Sequence, residues 1–332
     1  MRVKISVLMG IYNCADTLPE AIDSILSQTE RDWELILCDD GSLDDTYHVA
    51  QRYQQQYPQK ILLLRNSRNR GLNHTLNRCL EQARGEYIAR MDGDDLSLPT
   101  RFAEECAILD NHPELSIVSC PMIYFDEAGE WGRGTMKSFP EKMDFLQGTP
   151  FCHAPCMVRA EAFKAVGGYA EDPSLLRVED YDLWTRMYEL GYRGMNLDAH
   201  LYKMRDDRNA VRRRKFRYRI NEFLARARAV KRLRLPLWGY VTALRPILIG
   251  LMPEFIYRSF AKLLPDTENI AQNTFPNSHK PAEECPPVDI GINTNLPAGH
   301  FVDFGDDDGS ILLPIDHFGS GFSIILLATI EI

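Results

Sequence analysis

Gly85-Glu86-Tyr87-Ile88-Ala89-Arg90-Met91-Asp92-Gly93-Asp94-Asp95 decides the fold. A glycine stops what precedes it, a short apolar run follows, and the run ends in three carboxylates within four residues. Tyr87–Met91 therefore reads as a buried strand opening into an acidic turn. Upstream, Gly71 precedes a helix with Leu72, Leu76, Cys79, Leu80 and Ala83 on one face. Ile61–Leu64 and Trp33–Cys38 read as strands, the latter ending in Asp39-Asp40-Gly41-Ser42. Asp44 or Asp45 caps the helix between them, which runs to about Tyr57. Lys4–Met9 is the first strand. Asn13 and Thr17 offer caps for a helix with Leu18, Ile22, Ile25 and Leu26 on its apolar face. Downstream come a helix near Pro99–Asn111 and a strand at Ile117–Cys120. Strand and helix alternating in this way predict an α/β fold with a doubly wound, mostly parallel sheet. Ligands of such sheets bind beyond the carboxyl ends of the strands. Tyr12-Asn13, Asp39-Asp40 and Asp92–Asp95 all fall at such ends.

After residue 120 the pattern loosens. Pro155–Arg159 reads as a strand, Glu161–Val166 as a short helix stopped by Gly167-Gly168, and Glu179–Leu190 as a helix ending at Gly191. Residues 208–264 read as two or more basic amphipathic helices. The expected division is a catalytic domain over 1–204, a basic helical extension over 205–264, and an irregular acidic tail over 265–332.

The acidic turns carry the chemistry. Packing negative charge at Asp92–Asp95 is costly unless a cation or solvent offsets it. Hard divalent cations, Mg²⁺ or Mn²⁺, bind through one or two carboxylates together with substrate phosphates. Asp39 and Asp40 can accept hydrogen bonds from a nucleobase or serve as turn and cap residues. Tyr12 can stack on a base or join the core. Glu179-Asp180-Tyr181-Asp182 opens a helix, where acids are favoured by the dipole and one of them can act as a general base.

Taken together and in this order, these motifs resemble the family 2 glycosyltransferases, nucleotide-sugar enzymes with the GT-A fold. The likeness runs from Val3 to about Tyr192. It includes Ser6–Asn13, Ser24–Thr29, Trp33–Ser42, Asn69–Leu72, Gly85–Asp95, Gly167–Tyr169 and Glu179-Asp180. It implies that Tyr12 and Asp40, with Asp39 beside it, hold the donor base, often uracil. It places Asp92 near the ribose and metal, Asp94 on the divalent metal, and Asp180 as the catalytic base of an inverting transfer. A Gln-x-x-Arg-Trp motif, found in the processive synthases of the family, is absent, which points to single-sugar transfer. The implied partners are a nucleotide-sugar donor, with a UDP-sugar favoured, and a saccharide or lipid-linked acceptor of surface polysaccharide biosynthesis.

Composition narrows the alternatives. The chain has 332 residues, 45% hydrophobic and 26% charged, with net charge −9, so a nucleic-acid partner is not expected. That charge is unevenly spread: residues 205–234 hold 13 Lys/Arg against three Asp/Glu, and residues 265–332 hold one Lys against 11 Asp/Glu. The basic segment is either a solvated helical face or an attachment to an anionic membrane. A G-x-G-x-x-G turn and a P-loop are both missing, which argues against a dinucleotide enzyme or a P-loop NTPase. A nucleotidyltransferase acting on sugar phosphates lacks its glycine- and lysine-rich loop after the first strand. A non-enzymatic membrane- or RNA-binding role for the basic helices is the remaining rival. Eight cysteines, none in a CxxC pair, read as small buried hydrophobes, and no second Cys/His pair completes a zinc site around Cys152, His153 and Cys156. The N-terminus opens into a strand without a signal peptide, so the expected location is cytoplasmic or peripheral on the inner membrane face.

Every assigned motif precedes Tyr192, so residues 266–332 should be dispensable for transfer. Truncation after Pro265 is expected to leave donor hydrolysis unchanged. Loss of hydrolysis by a folded truncation would place the tail in the catalytic domain.

Overall fold

The computed structural model describes residues 3–206 and 216–251. The expected basic stretch 207–215, the helical reading of 252–264 and the acidic tail lie outside these residues.

The core is a seven-stranded sheet in the order β10-β6-β9-β4-β1-β2-β3. β1 (Ile5–Ile11), β2 (Trp33–Asp39), β3 (Ile61–Arg65) and β4 (Tyr87–Arg90) are mutually parallel, joined by α1 (Leu18–Leu26), α2 (Thr46–Gln56) and α3 (Leu72–Leu80). β1 and β2 are apolar on both faces because helices cover both. Val7, Met9, Leu35 and Leu37 pack in one core with α1, α2 and α4 (Arg101–Asn111). Leu8, Ile36 and Cys38 point the other way, into a second core. Each fully buried Leu, Ile or Val there contributes roughly 1.5–3 kcal/mol.

The second half departs from simple alternation. β9 (Met157–Arg159) lies antiparallel between β4 and β6 (Ile117–Ser119), and β10 (Gly194–Asn196) closes that edge. A second sheet, not expected from the sequence, has the order β5-β11-β7-β8 and is built from Leu96–Ser97, Tyr202–Arg205, Met122–Asp126 and Gly129–Arg133. α3, α5 (Ala160–Val166) and α6 (Glu179–Glu189) contribute to the second core on the other face of the main sheet, and α7 (Phe216–Arg232) packs against α6 with Ala225, Ala229 and Val230 inside that core. The short helices α8 (Gly239–Ala243) and α9 (Arg245–Leu251) follow.

Register sets the site. Ile11 pairs with Asp39, Asp39 with Arg65, and Leu8 with Arg90. The ends of β1, β2 and β4 therefore emerge together. Thr17 precedes α1 as expected, but its hydroxyl does not cap the helix; it donates to the carbonyls of Cys14 (3.3 Å) and Gly93 (3.1 Å), tying α1 to the acidic turn.

Behind that turn, Arg101 and Glu105 form a fully buried ion pair, and Arg101 Nη2 also donates to the Arg90 carbonyl at 2.9 Å. Glu105→Ala leaves the guanidinium without its counter-charge, a loss of about 3–5 kcal/mol for a buried pair. Urea unfolding should show that decrease; a change below about 0.5 kcal/mol would contradict it.

Candidate active site

The paired aspartates after β2 organise the loop after β3. Asp40 Oδ1 accepts from Asn66 Nδ2 (2.7 Å) and the Arg70 N–H (2.8 Å), and Oδ2 from the Gly71 N–H (2.8 Å). A carboxylate has about four acceptor positions, so one is left for another donor. Asp39 Oδ1 accepts from the Ser42 N–H at 3.2 Å. Its Oδ2 lies 3.2 Å from Arg65 Nε, an ionic contact without hydrogen-bond alignment. Gly41 has φ +71°, and a Cβ there would lie 2.7 Å from Arg68 Cα. Only glycine lets these two loops meet so closely.

The turn after β1 is held against the same region. Asn13, at φ 48°, occupies the left-handed region that asparagine tolerates. Its N–H donates to Ser42 Oγ (3.0 Å), and its Oδ1 accepts from the Leu43 N–H (2.9 Å). Tyr12 is 43% exposed, so its ring is not a core residue.

Tyr12, Asn13, Asp92, Gly93, Asp94 and Arg205 help to line a cleft of about 410 Å³. Asp92 is bound bidentately by the buried Arg90, at 2.7 and 2.6 Å. Asp94 opens into the cleft, and no other described residue hydrogen-bonds its carboxylate. The packed cleft walls and then the charge of Asp92 raise its pKa. Asp95 is buried, accepts from the Arg205 N–H at 2.7 Å, and is raised well above the carboxylate range by burial and by Asp92 and Asp94. Arg205 also donates from Nε to the Asp94 carbonyl (3.0 Å) and lies over the Phe125 ring.

Asp180 sits in the first turn of α6, where its Oδ2 accepts from Thr149 Oγ1 at 3.4 Å. Burial and the neighbouring Glu179 raise its pKa to about 6, against the opposing field of Arg90. His153 Nε2 is 2.8 Å from the Tyr169 hydroxyl, and burial together with Arg90 holds the imidazole neutral.

Tyr12, Asp92 and Asp94 are thus brought to one cleft. Asp39, Asp40 and Asp180 are not among the residues that line it: Asp39 and Asp40 are buried loop acceptors, and Asp180 lies on α6 within the electrostatic reach of Arg90. Arg90, Thr149 and Arg205 were not singled out from the sequence. Arg205 read as the first residue of the basic block, and Thr149 belongs to a segment with no periodic pattern.

The family described as Glycosyl transferase family 2 matches residues 6–167, and that described as Glycosyl transferase family group 2 matches residues 87–265. EpsE of Bacillus subtilis (strain 168) is 44% identical over 259 residues, covering 78% of this chain and 93% of its own. The amylovoran biosynthesis glycosyltransferase AmsE of Erwinia amylovora is 31% identical over 218 residues, 63% of this chain and 79% of its own. Among solved structures, the mannosyltransferase PcManGT from Pyrobaculum calidifontis, in complex with GDP-Man and Mn²⁺, superposes with a TM-score of 0.57 at 19% identity. That match covers 82% of this chain and 85% of the other. The strand order, the acidic turn after β4 and these matches agree: the chain belongs to glycosyltransferase family 2, has the GT-A fold, and is an enzyme that transfers sugars.

Proposed function

We propose that the cleft binds a nucleoside-diphosphate sugar with Mg²⁺ or Mn²⁺, and that Asp180 is the base for inverting transfer of a single sugar. The acceptor is a saccharide or lipid-linked saccharide of surface polysaccharide assembly, reached at an anionic membrane surface. AmsE, by its name, supports the polysaccharide setting, and PcManGT supports the donor class and the metal. A UDP-sugar is the first donor to assay and a GDP-sugar the second.

The observation that carries the proposal is the difference between two carboxylates at the end of β4. Asp92 is neutralised by Arg90, whereas Asp94 is left open in the cleft without a protein partner among the described residues. An oxygen donor of this kind suits a hard divalent ion shared with phosphates. Asp94 would hold the ion, with Asp92 beside it; when bound, the ion supplies charge stabilisation to the departing diphosphate. Tyr12 offers an open ring face to the base, and Asp40 retains an acceptor position for a base N–H.

Asp180 then takes the proton of the acceptor hydroxyl. The hydroxyl oxygen forms its bond to the anomeric carbon as the carbon–oxygen bond to phosphate breaks, and the electron pair leaves with the nucleoside diphosphate. A pKa of about 6 leaves Asp180 roughly 90% ionised at pH 7 while keeping it a better proton acceptor than an ordinary aspartate.

The base must be deprotonated to act, so kcat/KM should rise with pH through an apparent pKa of about 6. Asp180→Asn should cost about a hundredfold or more in turnover while donor binding persists. Near-normal turnover would move the role to Glu179 or Asp182.

Asp94→Asn should weaken Mn²⁺-dependent UDP or GDP binding by about tenfold or more, measured by calorimetry. Equal affinity in a folded variant would remove Asp94 from the metal site.

A further inference from the structure

Leu237, Val241, Leu244, Leu248 and Leu251 recur at intervals of four, three, four and three residues, the spacing of one helical face. In a soluble helical layer that face turns inward. Here it turns outward: the five are 82, 62, 42, 52 and 66% exposed. The buried positions are instead the small or ring-shaped Gly239, Ala243 and Pro246. Gly239 is seated so closely that a Cβ would lie 2.9 Å from Leu146 Cδ2 and 3.0 Å from Val230 Cγ2. The inward side of α8 is therefore fully packed, and the leucine stripe is left over.

The surrounding charge identifies the occupant. Residues 216–251 hold eight Lys/Arg and a single acid, Glu222. Arg219 and Arg226 pair with Glu222, Arg228 with Asp172, and Arg232 with Glu189. Lys231 and Arg234 are exposed and have no ion-pair partner among the described residues. An exposed apolar stripe beside uncompensated cations matches the interfacial zone of an anionic bilayer, where the stripe enters the acyl boundary and the cations meet headgroup phosphates. No helix of the described residues is long and apolar enough to cross a membrane, so the contact is one of lying on the surface.

We infer that the α8–α9 face, Leu237 to Leu251 with Lys231 and Arg234, docks the enzyme onto an anionic lipid surface. The inference rests on the reading of a membrane-borne acceptor and gives that reading a location. Leu146, which packs on Gly239, lies three residues before Thr149, which donates to Asp180. Three residues span at most about 10 Å, so the docked face is tethered close to the proposed base.

The test uses the full chain and sedimentation with vesicles of phosphatidylcholine alone or mixed with phosphatidylglycerol, at low and high salt. Donor hydrolysis without vesicles and sedimentation velocity are measured in parallel. Wild type should partition at least about tenfold more strongly onto the phosphatidylglycerol vesicles. Val241→Asp with Leu248→Asp should lose at least about tenfold of that binding at both salt concentrations. Lys231→Gln with Arg234→Gln should lose it chiefly at low salt, where screening is weakest. Both variants should hydrolyse donor as wild type does, because these side chains are exposed. Wild-type binding by the Asp variant, or no preference for anionic vesicles, would overturn the inference. So would a wild-type dimer that the Asp variant dissolves without any vesicle binding, since the face would then belong to a second copy. Vesicle binding without donor hydrolysis by wild type would count against the transferase reading alone.

Discussion

Arg90 is the buried cation on which the acidic end of the sheet depends. Around it stand Asp92, which it binds through both oxygens, and Asp180, whose pKa it lowers against burial. Burial, and after it the field of Arg90, keeps His153 neutral, so that the charge of Arg90 is not joined by a second one. Burial and the neighbouring carboxylates raise the pKa of Asp94 and raise that of Asp95 well above the ordinary value. Without Arg90 this group of carboxylates would be folded together without a buried counter-charge, which costs several kcal/mol. The position is reinforced from behind, where Arg101 holds the Arg90 carbonyl and Glu105 neutralises Arg101. Arg90 satisfies Asp92 but not Asp94, and the proposed metal role of Asp94 rests on that asymmetry.

The topology brings distant parts of the chain to this point. The parallel register aligns the ends of β1, β2 and β4, and Asp40 uses three of its acceptor positions to fold the 66–71 loop alongside. The smaller sheet delivers Arg205 and Tyr202 from more than a hundred residues away. Tyr202 accepts from the Asp92 N–H at 3.2 Å, and Arg205 closes one wall of the cleft. A rigid floor and a second sheet therefore share the positioning of one acidic turn.

The first half of the fold was legible because its signals are redundant. Buried runs such as Val7–Met9 and Leu35–Cys38 are bounded by turn residues; β1 and β2 run on to Ile11 and Asp39, beyond the expected Met9 and Cys38, whereas β4 and β6 stop at Arg90 and Ser119, one residue short of the expected ends. The second sheet was not legible. β5 has two residues, and β8, Gly129–Arg133, is largely exposed and shows no apolar alternation. Its pairing partners are set by tertiary contact. The antiparallel insertion of β9 between β4 and β6 likewise leaves no mark in a three-residue strand. At the site, carboxylates clustered at strand ends announce themselves. Arg90 looks like an interruption in an apolar strand until its partner two residues on is seen across the turn. Thr17 shows the same limit: its hydroxyl serves the Gly93 carbonyl in preference to its own helix.

The most direct measurement is anomalous diffraction from crystals of the full chain grown with Mn²⁺ and UDP or GDP. The expected result is a manganese peak at the Asp94 carboxylate, with the base against Tyr12 and Asp92 still paired to Arg90. Manganese bound away from Asp94, or a nucleotide seated outside the Tyr12–Asp94 cleft, would contradict it.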